Sequence, residues 1–114
     1  MITVALKKNP DGTVGAVEIY GHAGYAKKGH DIICSAVSAI AYTAAGALEE
    51  LAGLKRCYSE RDGQMSIRLP REMTEQQKKT SRVILDAAVI GFRQVELSYG
   101  EYVMVVEEEV QTDD

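Results

Sequence analysis

Alternating apolar and polar positions predict short strands at the start of the chain. Ile2, Val4 and Leu6 alternate with polar or small residues, as in a strand with one buried face. The run Asn9-Pro10-Asp11-Gly12 has the composition of a tight turn. A second strand follows, with its apolar positions at Val14, Ala16 or Val17, Ile19 and Tyr20. The pattern therefore predicts an opening β-hairpin.

The next regular pattern predicts an alanine-rich helix from about Ile32 to Ala52. Asp31 is the predicted N-cap, because its carboxylate can accept hydrogen bonds from the first backbone N–H groups. Gly53 is the predicted C-terminal stop. The small residues of this helix allow it to pack closely on a sheet or on another helix.

The second half of the chain repeats the order of hairpin and helix. The segments Lys55 to Glu60 and Gln64 to Leu69 flank the turn Arg61-Asp62-Gly63. Thr74 to Gln77 fits a capping box, and the helix it begins is predicted to run to about Leu97. Its predicted apolar face comprises Ile84, Ala88, Gly91 and Val95, with Leu85 and Phe92 beside them.

Tyr102 to Val106 is predicted to be a last strand, central in its sheet because it is apolar at successive positions. The predicted order is ββαββαβ. This is an α+β fold in which two helices pack on one mixed or antiparallel sheet. With 114 residues, we expect a single domain over 1–114.

Composition narrows the class of protein. Apolar residues make up 46% of the chain and charged residues 26%, which is ordinary for a soluble globular protein. The net charge of −4 argues against a nucleic-acid surface. The acidic segment from Glu107 to Asp114 is interpreted as a solvated tail, although attraction for a basic partner is an alternative. No signal peptide is predicted and no apolar run approaches a membrane span, so we expect a cytoplasmic protein with reduced thiols.

Candidate chemistry lies between Gly21 and Cys34. A glycine-rich loop, with Gly21, Gly24 and Gly29, carries His22 and is predicted to be mobile. Cys34 is predicted as the third residue of the helix, where unpaired N–H groups and the helix dipole favour a thiolate. His22 would then protonate the leaving amine of a cleaved peptide. Asp31 is either only a helix cap or also orients His22, as the third member of a triad does.

Each of these residues also has a purely structural interpretation. Cys34 could simply pack as a small apolar residue. Ser38 shares its helix face, either to support the site or with its hydroxyl bonded to the backbone one turn back. The set His22, His30, Asp31 and Cys34 fits no zinc spacing, so no metal is predicted. Cys57 is interpreted as structural, and no nucleotide-binding glycine loop or other cofactor motif is present.

The chain resembles the ribosomal-processing cysteine proteases of Gram-positive and related bacteria, often called Prp. The matching residues are Gly21-His22, then Gly29-x-Asp31-Ile-x-Cys34, then Ser35-Ala-Val-Ser38-Ala. The likeness extends over nearly the whole chain, from the opening hairpin to the terminal strand.

The resemblance implies an activity and partners. Members of this family remove the N-terminal extension of large ribosomal subunit protein number twenty-seven and form homodimers. It implies that Cys34 is the nucleophile, that His22 is the general base and acid, and that the loop covers the site. The partner would be a ribosomal protein precursor, with no nucleic acid bound directly. The alternative is a non-catalytic ribosome-associated assembly module in which Cys34 only packs.

Overall fold

The computed structural model describes residues 1–21 and 30–110, and at positions 30 and 31 it describes the backbone alone. Seven elements follow one another in the predicted order ββαββαβ. They are β1 (Ile2–Lys8), β2 (Val14–Gly21), α1 (His30–Ala52), β3 (Tyr58–Arg61), β4 (Gln64–Arg68), α2 (Glu75–Tyr99) and β5 (Val103–Glu109). The fold class is α+β, as the sequence pattern predicts.

The five strands form one mixed sheet in the order β3-β4-β2-β1-β5. Both predicted hairpins are antiparallel pairs, and β5 runs parallel to β1. The second hairpin turns at Asp62 and Gly63, with φ of 52° and 78°, the left-handed values that a two-residue turn between twisted strands requires.

The prediction that the last strand is central is wrong, because β5 forms an edge of the sheet. Val103 and Val105 are buried beneath the helices, whereas Met104 on the opposite face is 42% exposed. The strand also extends to Glu109, so the start of the acidic segment belongs to the sheet and is not a solvated tail. Glu107 and Glu108 make ion pairs with Lys8 and Lys7 of β1.

Helix α1 begins two residues earlier than predicted, at His30. Asp31 is therefore the second helical residue and not the N-cap. An acidic residue is favourable in a first turn as well as at the cap, because it meets the positive end of the helix dipole. The C-terminus agrees with the prediction: Gly53 has φ +69°, and its N–H donates to the Glu49 carbonyl at 3.1 Å.

Helix α2 has the predicted capping box. The Gln77 N–H donates to Thr74 Oγ1 at 3.1 Å, and the Thr74 N–H donates to Gln77 Oε1 at 3.0 Å. The helix ends at Tyr99, two residues later than predicted, with Gly100 as its C-cap. Its most buried stripe consists of Ser81, Leu85, Ala88 and Phe92. The predicted face is thus rotated by about one position, and Ile84, Gly91 and Val95 lie on its flank.

The two helices cover one face of the sheet and enclose a single apolar core. Phe92, Leu6 and Leu48 are among its largest fully buried side chains. Burial of a side chain of this size contributes about 1.5–3 kcal/mol to folding, so this layer is the main source of stability.

Residues Ile32–Ala52 of α1 are long and apolar enough to span a membrane by length and composition alone. The expectation that no apolar run approaches that length is therefore wrong. The finding is weak evidence for a membrane, because the core helix of a soluble protein meets the same criteria. In this fold Val37, Ala41 and Leu48 of the helix pack in the core.

Candidate active site

Cys34 is the fifth residue of α1 and not the third, because the helix begins at His30. It is half-buried and packs against the apolar core. Side chains of a helix tilt toward its N-terminus, so the thiol covers the turn that precedes its own Cα. This general geometry favours a Cys34 sulfur directed toward the end of α1 where backbone N–H groups lack intrahelical partners.

The flank of α1 that carries Cys34 faces away from α2. Cys34, Ser38 and Tyr42 recur every four residues and form one stripe along the helix. Ile40 and Ala47 lie on the opposite flank, where they line an apolar groove of about 450 Å³ between α1 and α2. Because Cys34 is not among the lining residues, this groove is separate from the candidate nucleophile.

Ser38 is half-buried one turn after Cys34. No hydrogen bond joins its hydroxyl to another residue within 1–21 or 30–110. The interpretation as a hydroxyl bonded to the carbonyl one turn back is therefore wrong for Ser38. Thr43 makes that type of bond instead, to the Ala39 carbonyl at 2.7 Å.

Gly21 is the last residue of β2 and pairs with Ile2, so the prediction that it belongs to the loop is wrong. Its φ is +95°, and an added Cβ would overlap the carbonyl oxygen of Met1. Only glycine satisfies both constraints without strain. The sheet thereby positions the backbone immediately before His22.

Several predicted site residues lie outside the described residues. His22, Gly24 and Gly29 fall within 22–29, and the side chain of Asp31 is likewise not described. The predicted mobile loop, the Cys34–His22 pair and the orienting role of Asp31 therefore stay predictions. Within the described part of the chain, no group of three or more His, Cys, Asp or Glu residues could hold a metal ion.

The second cysteine has a different environment. Cys57 is 7% exposed, and its thiol donates to the Leu54 carbonyl at 3.9 Å. Burial raises the pKa of the Cys57 thiol. Cys57 therefore suits a structural role, as predicted, and the two cysteines do not form a disulfide with each other.

A polar aromatic cluster that no sequence pattern predicts lies farther along the Cys34 flank. The hydroxyls of Tyr42 and Tyr58 both donate to Oε1 of Glu60, at 3.2 and 2.7 Å. The ring centroids lie 5.7 Å apart with an interplanar angle of 58°. No local pattern joins Tyr42 on α1 to two residues of β3, so only the packing of α1 over this sheet edge identifies the cluster.

The family model described as cysteine protease Prp matches residues 1–104. The ribosomal processing cysteine protease Prp of Bacillus subtilis is 22% identical over 107 residues, with 92% of this chain and 96% of the relative covered. The protein of the same name from Staphylococcus aureus is 28% identical over 103 residues, covering 89% and 93% of the two chains.

Solved structures of similar proteins match this chain over nearly its whole length. The crystal structure of an essential ribosomal processing protease Prp from Staphylococcus aureus, in complex with a substrate peptide, superposes with a TM-score of 0.79. That protein is 25% identical, with 95% of this chain and 100% of the other covered. SMU.848 from Streptococcus mutans also superposes with a TM-score of 0.79, at 28% identity and with 96% of each chain covered. With a fold and a length that match throughout, the chain belongs to the Prp family of ribosomal processing cysteine proteases.

Proposed function

We propose that this protein is the endopeptidase that removes the N-terminal extension of large ribosomal subunit protein number twenty-seven during ribosome assembly. The observation that carries the proposal is the position of Cys34, a half-buried cysteine at the fifth residue of α1 in a protein of this family. A relative crystallised with a substrate peptide has the same fold over its full length, which supports a peptide as the substrate.

In the proposed mechanism, the Cys34 thiolate attacks the carbonyl carbon of the scissile peptide bond. The C–N bond breaks, the leaving amine takes a proton from the His22 imidazolium, and the acyl group stays on sulfur as a thioester. A water molecule then attacks the thioester while neutral His22 accepts its proton. The thioester C–S bond breaks, which releases the extension as a carboxylic acid and restores the Cys34 thiolate and the His22 imidazolium.

The N-terminus of α1 supports two parts of this reaction. Its positive dipole end favours the negative sulfur before attack. Its N–H groups are also donors of the kind that stabilise the oxyanion of a tetrahedral intermediate, a contribution usually worth about 2.7–4 kcal/mol per donor. Asp31 is the second residue of the same helix. We propose that its carboxylate either orients His22 or stabilises the N-terminus of the helix.

The test is cleavage of a peptide that spans the extension junction. Cys34→Ala should abolish cleavage, and His22→Ala should lower kcat by a factor of at least about 10². Matched controls are Cys57→Ala and His30→Ala, which remove the same groups elsewhere and should keep most of the activity. Cleavage by Cys34→Ala at the wild-type rate would exclude the assigned nucleophile.

We also propose that the protein acts as a cytoplasmic homodimer. The groove between α1 and α2 supports this proposal, because it is apolar and is bordered by Val83, which is 69% exposed. A second copy of the chain could cover it. Light scattering should then give twice the mass of one chain for the wild type. Val83→Glu should shift the mass toward the monomer. Arg82→Glu, at the preceding position, should not, because Arg82 does not line the groove.

A further inference from the structure

Tyr42, Tyr58 and Glu60 form a surface cluster that holds a carboxylate beside two aromatic rings. Both phenol hydroxyls donate to the same oxygen of Glu60, Oε1. No ion pair joins Glu60 to any cation among the described residues, and no hydrogen bond from those residues reaches its second oxygen. Tyr42 is 53% exposed, so part of its ring is accessible from solvent. The cluster thus presents a fixed, uncompensated negative charge next to an open ring.

This combination of groups suits an organic cation. Lys and Arg side chains bind carboxylates through charge-assisted hydrogen bonds, and they are attracted to the faces of tyrosine rings. The two phenols orient Glu60 before any ligand arrives, which lowers the entropy that binding would cost. Burial and the hydrogen bond to Glu60 raise the pKa of Tyr58, so its hydroxyl remains a neutral donor at physiological pH.

The cluster lies on the same flank of α1 as Cys34. Tyr42 follows Cys34 by eight helical residues, which corresponds to about 12 Å at 1.5 Å per residue. Tyr58 and Glu60 belong to β3, the edge strand on this side of the sheet. An extended peptide rises about 3.3 Å per residue, so a peptide that reacts at Cys34 and follows this flank reaches the cluster after three or four residues.

We propose that Tyr42, Tyr58 and Glu60 form a substrate subsite for a Lys or Arg side chain, three or four residues from the scissile bond. The proposal rests on the proposed function, because it takes Cys34 as the point of reaction. The subsite would be a specificity determinant: a positively charged side chain of the peptide at that distance raises kcat/KM, because it strengthens binding of the substrate.

The experiment uses a set of junction peptides in which a single Lys is exchanged for norleucine, its uncharged analogue. The exchange is made at the third and fourth positions on each side of the scissile bond. Wild-type protein should cleave the Lys peptide with about tenfold higher kcat/KM at one of these positions, mainly through a lower KM. Glu60→Gln should remove this preference by lowering kcat/KM for the Lys peptide to the value for its norleucine analogue.

Glu49→Gln is the matched control. It removes the same charge from an exposed position of α1 and should keep the preference for Lys. Tyr42→Phe retains the ring but loses one hydroxyl and should keep part of the preference, whereas Tyr42→Ala should lose more. Thermal unfolding of each variant separates a lost subsite from a damaged fold.

Two kinetic results would overturn the subsite: a wild-type protein with no preference for Lys at any of the four positions, or a Glu60→Gln variant that keeps the wild-type preference. Failure of the proposed function looks different, since cleavage would then persist in Cys34→Ala. Fluorescence anisotropy of labelled Lys and norleucine peptides bound to Cys34→Ala measures the subsite without any turnover. In that assay Glu60→Gln should weaken only the Lys peptide, and an equal affinity of both peptides for Cys34→Ala would also count against the subsite.

Discussion

At the scale of single residues, the two cysteines occupy positions that differ in the features that govern thiol reactivity. Cys34 lies near the start of a helix and is half-buried, whereas Cys57 lies between α1 and β3 in apolar surroundings. The reacting form of a thiol is the thiolate, and low-dielectric surroundings disfavour it. The residue type alone could not separate these two thiols. Their places relative to the predicted helix separate them, and the burial of Cys57 agrees with its structural assignment, whereas the reactivity of Cys34 stays a prediction.

We therefore expect selective alkylation of the folded protein. Iodoacetamide at mildly acidic pH should modify Cys34 and leave Cys57 unmodified, because burial both shields Cys57 and raises the pKa of its thiol. Peptide mapping by mass spectrometry measures each site. Unfolding in urea should make Cys57 reactive. Labelling of Cys57 in the folded protein at the rate of a small-molecule thiol would contradict its structural assignment.

Gly21 should tolerate no side chain. Gly21→Ala combines a φ of +95° with an overlap against the Met1 carbonyl, and we expect a loss of about 2–3 kcal/mol in the free energy of unfolding. Gly12→Ala is the control, since Gly12 has a similar φ of +88° but nothing within 4 Å of the added Cβ. It should lose only about 1 kcal/mol. Urea unfolding of both variants separates the effect of the positive φ from that of the contact with Met1. Equal losses in the free energy of unfolding would show that the contact does not matter.

At the scale of elements, the helices followed from periodicity and the errors lie at their ends. Capping residues such as Thr74 identify a helix start through a local hydrogen bond, and that prediction is confirmed. Asp31 was misassigned because an acidic side chain is favourable both at the cap and inside the first turn. The α2 face was misplaced by one position because Ser81, a buried polar residue, does not look apolar in the sequence. Its hydroxyl is satisfied by the Lys78 carbonyl at 3.2 Å.

The two helical glycines should respond differently to alanine. Gly46 of α1 is exposed and has nothing within 4 Å of an added Cβ, so Gly46→Ala should stabilise the protein by about 0.5–1 kcal/mol through helix propensity. A Cβ at Gly91 of α2 would lie 3.2 Å from Ile40 Cδ1. Gly91→Ala should therefore gain less, or nothing, because Ile40 must shift. The midpoints of urea unfolding rank the two variants, and an equal gain would show that Ile40 adapts freely.

At the scale of the whole molecule, strand order was the feature that the sequence could not supply. Residues 103 to 106 are apolar on both faces and resemble a central strand, yet β5 lies at an edge with Met104 partly in solvent. The pairing of β5 with β1 depends on where the two helices leave space, which no local pattern encodes. The Tyr42–Tyr58–Glu60 cluster escaped prediction for the same reason, since tertiary packing brings it together.

Charged residues on the open face of the sheet tie three strands together. Lys7 of β1 contacts Glu108 of β5 and lies 3.5 Å from Glu18 of β2. The hydrogen bond with Glu108 is the main reason that the pKa of Lys7 is raised above its ordinary value of 10.5. Because the folded-state value is the higher one, this stabilisation is fully present below about pH 10.5 and is lost as the pH rises through the folded-state pKa.

Lys7→Met should lower the free energy of unfolding at neutral pH by about 0.5–1 kcal/mol, with the deficit decreasing in high salt. The difference from the wild type should stay constant up to about pH 10 and should narrow only as the pH rises above about 10.5, toward the raised folded-state pKa of Lys7. Lys8→Met serves as the control, since the Lys8–Glu107 distance is 3.8 Å and the loss should be smaller. Urea unfolding across this pH range measures both variants. A difference that widens with pH would contradict the assigned direction.

The parallel pairing of β1 with β5 also constrains the order of events during synthesis. Lys7 and Glu108 are 101 positions apart, so one side of β1 has no partner until almost all of the domain has left the ribosome. The nascent chain can form its first hairpin early, but it can complete the sheet only after β5 has been synthesised and has left the ribosome. Closure of so long a loop makes the last step slow. Until that step, the exposed edge of β1 is a point where chaperones or neighbouring nascent chains could bind.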